Sequence, residues 1–506
     1  MYYFISVQMP TTQTLKMSLQ RSNVTIIHPD LGIGGAERLI IDVALALQNR
    51  GHRVTIYTSH RDKSHCFDEA RDGTLDVRVR GNTIFPAHVC GRLHILMAAL
   101  RQLHLTVSLL SELGSTTEKA DDRDEIFIVD QLSACVPFLK SFGRPRKSRL
   151  QRILFYCHFP DQLLARRDEG GSLLRLAKML YRFPFDWFEG WAMSASDRVV
   201  ANSKFSRGVV RGVFGSDRLG DVEVVYPCVD MDAGTLPAKT DDAPLWGGKK
   251  ILLSINRFER KKDMALAIRA YHGLGAEKRR GTRLVIAGKS CFLLMVYRSD
   301  LSEIGGYDNR VPENVQYHQE LDKLATGLGM ETATSKTVVS ALSLPDSIDV
   351  LFLLSVPTAF KDTLLAQSKL LLYTPINEHF GIVPVEAMRV GLPVLASNTG
   401  GPLETIVEGE TGWLRDAHAD VEWTAVMDKV LYGLGQKDIE RIAAAGKERA
   451  QQHFSLTAMG DRLEEEISIM LTAERRPFNG WQQVFTILAV LGAIFIAIAA
   501  VLFRAM

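Results

Sequence analysis

Residues 24–58 read VTIIHPDLGIGGAERLIIDVALALQNRGHRVTIYT, two short β-rich runs on either side of a segment with helical spacing. The runs at 24–28 and 54–58 are almost continuously apolar, which is typical of parallel strands that are covered on both faces. The segment between them places apolar residues at helical intervals and ends at Gly51. This β-α-β pattern predicts an open, doubly wound parallel sheet.

The same alternation runs along both halves of the chain. In the first half the further apolar runs are 77–79, 126–129, 153–156, 199–202 and 222–226. In the second half they are 251–255, 284–287, 349–354, 369–374 and 392–397. Residues 231–250 are polar and rich in Pro and Gly, so we take them as a linker. We expect an α/β protein with two Rossmann-like domains, 23–230 and 251–453, that face a central cleft.

The C-terminal residues 484–503 differ in composition from the rest, because they contain no charged side chain. A helix of this length spans about 30 Å, the thickness of one hydrocarbon core. We predict a transmembrane helix here, preceded by an amphipathic helix and a juxtamembrane segment over 454–480. A buried core helix is the alternative. The excess of arginine before the span predicts that the body of the protein lies on the cytosolic side.

Two further segments depart from the alternating pattern. Residues 1–22 lack an apolar core long enough for a signal peptide, and we interpret them as a disordered leader. Residues 289–305 add an apolar stretch where a strand ending in Gly288 should turn directly into a polar loop. We interpret this stretch as an insert translated from a retained intron, and a genuine loop is the alternative.

The bulk composition narrows the function classes. In 506 residues, 60 Lys and Arg oppose 58 Asp and Glu, a net charge of +2, so no general polyanionic partner is indicated. No basic face with interleaved aromatic residues suggests nucleic acid. The six cysteines are scattered without metal-ligand spacing, which favours a reducing compartment. We predict neither a metal site nor a cofactor.

A glycine-rich turn follows the first predicted strand. Gly34 and Gly35 let backbone N–H groups approach a ligand closely, and the start of the next helix favours an anion or an electron-rich oxygen. The spacing differs from the dinucleotide fingerprint, and the turn lacks the lysine of a P-loop. A tight connection without a ligand remains the alternative.

A basic cluster follows the first strand of the second half, in SINRFERKKDM at 254–264. Arg257 and Lys262 lie at the carboxyl end of a buried strand, where a diphosphate would sit in an open α/β sheet. An arginine provides a planar fork of donors, and a lysine provides a mobile point charge. The alternative is a solvated charged loop.

Two carboxylates lie between the next buried strands, in NEHFGIVPVEAMRVGLPVLASNTGG at 377–401. Glu378 is in a loop beside Phe380 and Gly381, whose backbone amides are available. Glu386 falls near the start of a helix. We expect both carboxylates at one edge of the crevice, where one can meet a sugar ring and the other a ribose diol.

His158 follows a strand of the first half, in YCHFPD, and is predicted to face the same crevice. A lone histidine is more often a surface residue or a hydrogen-bonded core residue, but its place at the end of a strand favours a functional role. No G-x-S-x-G motif accompanies it, which argues against a serine hydrolase.

Together these motifs resemble a known family. The sequence GGAE at 34–37, the pair Arg257 and Lys262, and the pair Glu378 and Glu386 resemble the retaining GT-B glycosyltransferases of the glycogen-synthase-like and mannosyltransferase group. Further stretches, YCHFPDQLLA, ANSKFS, YPCVD, SINRFERKKD and NEHFGIVPVEAM, resemble the eukaryotic alpha-1,3/1,6-mannosyltransferases of dolichol-linked oligosaccharide assembly. The insert at 289–305 departs from that pattern.

The resemblance implies GDP-mannose as donor and Man-GlcNAc2-diphosphodolichol as acceptor. It implies transfer of one mannose in α-1,3 and one in α-1,6 linkage at the cytosolic face of the endoplasmic reticulum membrane, without a metal. Membrane lipid and other early-pathway mannosyltransferases are the further partners that it suggests. The alternatives are another GT-B lipid-glycan glycosyltransferase, a soluble sucrose- or trehalose-type synthase, and a catalytically silent membrane-tethered scaffold.

The resemblance also implies roles for individual residues. Arg257 and Lys262 would hold the donor diphosphate, and Glu386 would bind the nucleotide ribose. Glu378 would lie by the donor mannose, and His158 would contact the sugar near its anomeric centre. The remaining members of the implied site are Phe380 and Gly381 on the donor side and Gly34, Gly35 and Glu37 in the glycine turn, which would cradle the diphosphate or an acceptor hydroxyl.

Overall fold

The computed structural model describes residues 21–475, except 64, 90–92, 116–122, 144–149, 165–171, 232–243, 290–306 and 308–310, together with residues 482, 485, 486, 489 and 492. Within this part of the chain, no helix is both long and apolar enough to cross a membrane. The predicted span 484–503, the leader 1–22 and the insert 289–305 fall almost entirely outside the described residues. These three expectations therefore stay predictions.

The first domain is built on a parallel sheet with strand order β3-β2-β1-β4-β5-β6-β7. Its strands are β1 (Asn23–His28), β2 (Arg53–Thr58), β3 (Asp76–Val79), β4 (Glu125–Asp130), β5 (Gln151–Cys157), β6 (Arg198–Ala201) and β7 (Val222–Val224). Its helices are α1 (Gly35–Gln48), α2 (Asp68–Arg71), α3 (His94–Ser115), α4 (Val136–Phe142), α5 (Asp161–Leu164), α6 (Ser172–Ser194), α7 (Lys204–Phe214) and α8 (Ser216–Leu219). Each apolar run predicted in this half forms a strand.

The second domain repeats the plan with the order β10-β11-β9-β8-β12-β13-β14. Its strands are β8 (Lys250–Ile255), β9 (Thr282–Lys289), β10 (Thr332–Ser335), β11 (Val350–Val356), β12 (Ser368–Tyr373), β13 (Val394–Ser397) and β14 (Gly412–Arg415). Its helices are α9 (Met264–His272), α10 (Gly275–Arg279), α11 (Pro312–Gly327), α12 (Val338–Leu342), α13 (Thr358–Gln367), α14 (Ile382–Val390), α15 (Pro402–Thr405), α16 (Asp420–Asp428) and α17 (Gln436–Phe454). The expectation of two Rossmann-like parallel sheets is confirmed.

The last described helix, α18 (Leu456–Thr472), returns to the first domain. Its apolar face, which includes Leu463 and Ile467, is buried in the same cluster as α1. Glu466 is fully buried, and its carboxylate pairs with Arg198 at 2.5 Å and with Arg462 at 2.6 Å. A buried carboxylate that is paired in this way is costly to separate from its partners. The helix is therefore part of the first domain.

The two chain segments that cross between the domains lie side by side. The backbone N–H of Val229, at the end of the first domain, donates to the carbonyl of Phe454 at 2.8 Å. Val229 also forms an isolated parallel bridge with Ser455, where α17 gives way to α18. The crossings are thus tied to each other at one place.

Candidate active site

The carboxyl ends of both sheets face the cleft, and the polar side chains that the sequence singled out follow these ends. On the second domain, Lys262 closes a short 3-10 turn after β8, and Glu378 lies in the loop between β12 and α14. On the first domain, His158 directly follows β5. In open α/β sheets this edge is where ligands bind.

Lys262 and Glu378 form an ion pair, with the lysine ammonium donating to the glutamate carboxylate. The backbone carbonyl of Lys262 accepts a hydrogen bond from Thr374 at 2.6 Å, which holds the turn against the end of β12. Burial opposes ionisation of Glu378, but the nearby ammonium outweighs burial and lowers the pKa of this carboxyl. The carboxylate of Glu378 is therefore favoured in its ionised form beside Lys262, in a crevice that is poorly accessible to water.

Tyr373, at the end of β12, is buried beneath this pair. Burial raises the pKa of its phenol well above the ordinary value, and the carboxylates of Glu378 and Glu386 raise it further. Because both carboxylates raise the pKa of the same phenol, they lie close to each other at the edge of the crevice. The sequence predicted this proximity of the two glutamates, but it did not identify Tyr373.

Glu386, in the first turns of α14, pairs with Lys361 of α13 at 2.7 Å. Lys361 is 8% exposed, although it lies in a helix that gave no functional signal in the sequence. The ammonium of Lys361 orients the carboxylate of Glu386, for which the family resemblance implies binding of the nucleotide ribose. Lys361 is thus a candidate site residue that sequence reasoning missed.

The basic cluster contains a carboxylate of its own. Arg257 pairs with Glu259 at 3.1 Å, and Lys261 pairs with the same glutamate at 3.1 Å. Arg257 also contributes to the lowered pKa of Glu378, so it lies near the Lys262–Glu378 pair. The cluster faces the crevice with its positive charge partly compensated.

Phe380 and Gly381 support the loop that carries Glu378. The ring of Phe380 is buried and packs against Tyr226 and Phe454, with ring centroids 5.8 and 5.7 Å apart. Only the backbone of Phe380 can therefore face a donor. Gly381 has a φ of +81°, and a methyl group there would lie 3.0 Å from the ring of Tyr373. This position requires glycine.

On the first domain, Asp130 at the end of β4 joins two histidines. One carboxylate oxygen lies 2.7 Å from Nδ1 of His28, and the other lies 2.6 Å from Nε2 of His158. Asp130 is fully buried, yet the two rings outweigh burial and lower its pKa. Burial lowers the pKa of His28, but Asp130 overcomes this and raises it. The carboxylate thereby fixes the orientation of His158, and the sequence had not singled it out.

The glycine turn already holds a carboxylate. A methyl group on Gly34 would lie 2.1 Å from Oε2 of Glu37, so the side chain of Glu37 folds back over the start of α1. Glu37 is 7% exposed and helps to raise the pKa of His28. A carboxylate stabilises the positive end of a helix and repels a phosphate. Of the two ligands expected at Gly34 and Gly35, the geometry favours a hydroxyl group.

The two domains touch across the cleft at His379, next to Glu378. The ring of Phe159 stacks on the ring of His379, with centroids 3.9 Å apart and planes 7° from parallel. The hydroxyl of Ser203 donates to the carbonyl of His379. Burial lowers the pKa of His379 to about 4, so this ring is neutral at physiological pH. His158 and Glu378 are brought to opposite sides of one closed crevice.

Two family models match the chain: Glycosyltransferase Family 4 over residues 33–233 and Glycosyl transferases group 1 over residues 239–449. The chain is 49% identical over 493 residues to the alpha-1,3/1,6-mannosyltransferase alg-2 of Neurospora crassa, which covers 95% of this chain and 96% of the relative. The protein belongs to the alpha-1,3/1,6-mannosyltransferase family. It shares 40% identity over 484 residues with the family member from Saccharomyces cerevisiae, covering 91% of this chain and 87% of the relative.

Solved structures show that this mannosyltransferase chain has the GT-B fold. Sucrose-phosphate synthase from Thermosynechococcus elongatus superposes with a TM-score of 0.62 at 14% identity, covering 90% of this chain and 100% of the other. Anabaena HepE in complex with UDP superposes with a TM-score of 0.59 at 18% identity, covering 88% and 99%. At such identities the likeness concerns the fold alone.

Proposed function

We propose that this alpha-1,3/1,6-mannosyltransferase transfers mannose from GDP-mannose to Man-GlcNAc2-diphosphodolichol, with retention of the anomeric configuration. It adds one residue in α-1,3 and one in α-1,6 linkage. The observation that carries the proposal is the Lys262–Glu378 ion pair, which lies at the crevice edge opposite the His158–Asp130 pair. The names of the relatives support the linkages, and the site chemistry supports a diphosphate donor.

The donor diphosphate would lie against Arg257 and Lys262. In the reaction, the bond between the anomeric carbon and the phosphate oxygen breaks, and a bond to the acceptor oxygen forms on the same face. The proton of the acceptor hydroxyl leaves with the GDP. Fixed cations stabilise the negative charge that develops on the departing phosphate, and they do so most strongly where water is excluded. Lys262 meets this condition, since it is 9% exposed.

The nucleotide ribose would bind to Glu386. A carboxylate accepts hydrogen bonds from both hydroxyls of a diol. Lys361, at 2.7 Å, holds this carboxylate in its orientation. Glu378 would lie by the donor mannose, where its charge favours the positive character that the anomeric carbon acquires in the transition state.

On the acceptor side, His158 would contact the sugar. The Nε2 atom of His158 is hydrogen-bonded to Asp130, so Nδ1 would be the atom that hydrogen-bonds to a sugar hydroxyl. The glycine turn at Gly34 and Gly35 would receive an acceptor hydroxyl beside the carboxylate of Glu37. Closure of the two domains excludes water and thereby limits hydrolysis of the donor.

The proposal places the protein at the endoplasmic reticulum membrane, with both domains on the cytosolic face and the segment 484–503 as anchor. A tethered enzyme meets a lipid-linked acceptor at a high effective concentration. Membrane lipid and other mannosyltransferases of the early pathway are the partners that this location suggests.

The experiment is a transfer assay on membranes that contain the full chain, with GDP-mannose and a phytanyl-linked Man-GlcNAc2 acceptor. We expect products with one and two added mannoses, and no transfer from UDP-glucose. Glu378→Gln should abolish transfer, whereas Glu277→Gln, at an exposed position of the same domain, should not change it. Transfer from UDP-glucose, or full activity of the Glu378→Gln variant, would refute the proposal.

The same assay tests the insert. We expect that deletion of residues 289–305 yields an active enzyme, and that the full chain is less active. Equal activity of the two forms would show that the segment is a genuine loop.

A further inference from the structure

A row of polar side chains crosses the carboxyl edge of the first sheet. His28 ends β1, Asp130 ends β4 and His158 follows β5. Hydrogen bonds of 2.7 and 2.6 Å link the three side chains through the carboxylate in the middle. The next strand of the sheet is β6, and Asn202 follows it directly. The position of Asn202 continues the row by one strand.

The strand register places Asn202 beside His158. Cys157 of β5 pairs with Ala201 of β6, and His158 and Asn202 are the next residues of these two segments. Neighbouring strands lie about 4.8 Å apart. The two backbones are therefore adjacent at the point where the sheet meets the cleft.

The side chains of these two residues lie on the same face of the sheet. Tyr156 and Val200, two residues before them, are buried in one core cluster, on the side of α1 and α18. Because side chains alternate along a strand, His158 and Asn202 lie on that side as well. The ring of His158 lies against the ring of Tyr156, with centroids 5.4 Å apart, which agrees with this placement.

The side chain of Asn202 is buried, but its amide is incompletely hydrogen-bonded. The residue is 7% exposed, and within the described part of the chain its Oδ1 atom has no hydrogen-bond partner. In contrast, both carboxylate oxygens of Asp130 are bonded to histidines. An unsatisfied buried oxygen lowers stability, so native proteins rarely keep one without a water or a ligand. The oxygen of Asn202 thus suits a donor that comes from outside the chain.

The second domain covers this end of the row. The hydroxyl of Ser203 donates to the carbonyl of His379, and the backbone N–H of Lys204 donates to Glu404 at 2.8 Å. Both acceptors belong to the second domain, and both donors directly follow Asn202. An opening of the cleft would therefore uncover Asn202, which is reached from the crevice where the substrates would bind.

We propose that Asn202 binds the acceptor sugar: its Oδ1 atom accepts a hydrogen bond from a hydroxyl of the acceptor mannose. The inference rests on the proposed function, in which His158 contacts a sugar on the acceptor side. A diphosphate offers acceptor oxygens and does not suit an oxygen that needs a donor, whereas a sugar hydroxyl does. The 3- and 6-hydroxyls of this mannose react, so the 2- or the 4-hydroxyl is the one that Asn202 binds.

Two analogues of the phytanyl-linked Man-GlcNAc2 acceptor test the inference, one without the 2-hydroxyl of the mannose and one without the 4-hydroxyl. We expect the wild-type enzyme to use one of them about tenfold less efficiently in kcat/KM, since a site that hydrogen-bonds a hydroxyl rejects an analogue that lacks it. Asn202→Leu should use the full acceptor about tenfold less efficiently. It should not discriminate further against that analogue, because the partner of the missing hydroxyl is gone. The KM for GDP-mannose should not change.

Thermal melting separates sugar binding from a structural role. Asn202→Leu keeps the size of the side chain and removes an oxygen that finds no partner among the described residues, so it should melt no lower than the wild-type protein. Gln102→Leu is the contrast, because this buried amide bonds the carbonyl of Leu132 and the N–H of Cys135 at 2.6 and 3.0 Å. It should melt at a lower temperature. Asn49→Leu, at an exposed position of the same domain, should keep wild-type activity and stability.

Four results would overturn the inference. The wild-type enzyme could use all three acceptors equally, or Asn202→Leu could still discriminate against the same analogue. The variant could raise the KM for GDP-mannose instead, which would assign Asn202 to the donor. It could also melt at a lower temperature, which would show that its oxygen holds a structural water. Failure of the proposed function is distinguishable, because then the wild-type enzyme would transfer no mannose from GDP-mannose to any of the acceptors.

Discussion

The carboxylate of Glu404, in the second domain, accepts the backbone N–H of Lys204, in the first domain, at 2.8 Å. It also accepts the N–H of Phe205 at 3.2 Å. These N–H groups open α7, so a residue of one domain caps a helix of the other. Caps of this kind stabilise a helix start by about 1 kcal/mol. Here the stabilisation exists only while the cleft is closed.

We therefore expect Glu404→Ala to favour the open form. The KM for GDP-mannose should rise about fivefold, which corresponds to the loss of one cap. Hydrogen exchange should quicken at the first amides of α7. Glu410→Ala, at an exposed position nearby, serves as the control. Unchanged exchange in the Glu404→Ala variant would show that the contact does not hold the domains together.

The Lys262–Glu378 pair predicts a non-additive mutant cycle. Lys262→Met leaves a poorly hydrated carboxylate without its partner, so this variant should melt at a lower temperature than the wild-type protein. The double variant Lys262→Met/Glu378→Gln should melt at a higher temperature than Lys262→Met, because neither charge remains. These two variants and the single variant Glu378→Gln should each lose transfer activity about a hundredfold or more. Additive melting temperatures would argue against the pair.

The same ion pair predicts that the stability of the folded protein depends on pH in the acid range. The pKa of Glu378 lies below its ordinary value of 4.5 in the folded protein. Its contribution to stability is therefore complete above about pH 4.5 and is lost as the pH falls through the lowered pKa. Thermal melting of the wild-type protein should become steeply pH-dependent in this acid range. The dependence should be weaker in Glu378→Gln.

The contact between His28 and Asp130 predicts that the stability of the folded protein decreases as the pH rises near neutrality. The pKa of His28 is raised above its ordinary value of 6.5, so its contribution is complete below about pH 6.5 and is lost as the pH rises through the raised pKa. The melting temperature of the wild-type protein should fall across this range, and Asp130→Asn should flatten the profile. Asp217→Asn, at an exposed site, should leave it unchanged.

Asp130→Asn should also lower kcat about a hundredfold, since His158 loses the group that orients it. The KM for GDP-mannose should change little. A variant that keeps its kcat but melts at a lower temperature would restrict Asp130 to a structural role.

Lys361 predicts an effect on donor binding. Lys361→Met removes the ammonium that holds Glu386, so the KM for GDP-mannose should rise about tenfold while kcat is kept. Lys336→Met, at an exposed position of the same domain, is the matched control. A loss of kcat without a change in KM would place Lys361 outside the ribose site.

The sequence predicted the fold well where strands are buried on both faces. The runs that became β1 to β7 are nearly continuously apolar, and each was recognised. The strands β10, TATS, and β14, GWLR, were missed because neither contains a run of apolar residues, and both form edges of the second sheet, where polar side chains are tolerated. An apolar run therefore reveals even an edge strand such as β3 or β7, whereas an edge strand without such a run leaves no signal.

The site was predictable only where motifs mark it. Lys262 and Glu378 lie in a turn and a loop that follow strands, Glu386 lies near the start of the next helix, and their spacing is visible in the sequence. Asp130 ends an apolar strand and Lys361 lies in an ordinary helix, so neither has a local signal. Their roles depend on partners 28 and 25 residues away. Such pairings become visible only in three dimensions.

The backbone hydrogen bond between Val229 and Phe454 bears on how the two domains can move. Because both crossings lie side by side at one place, we expect a movement of the second domain to pivot there. The chain beyond Thr472 is carried by the first domain, since α18 is packed there. An opening of the cleft would therefore move the second domain, which would bind the nucleotide, relative to the first domain and to the chain that follows α18.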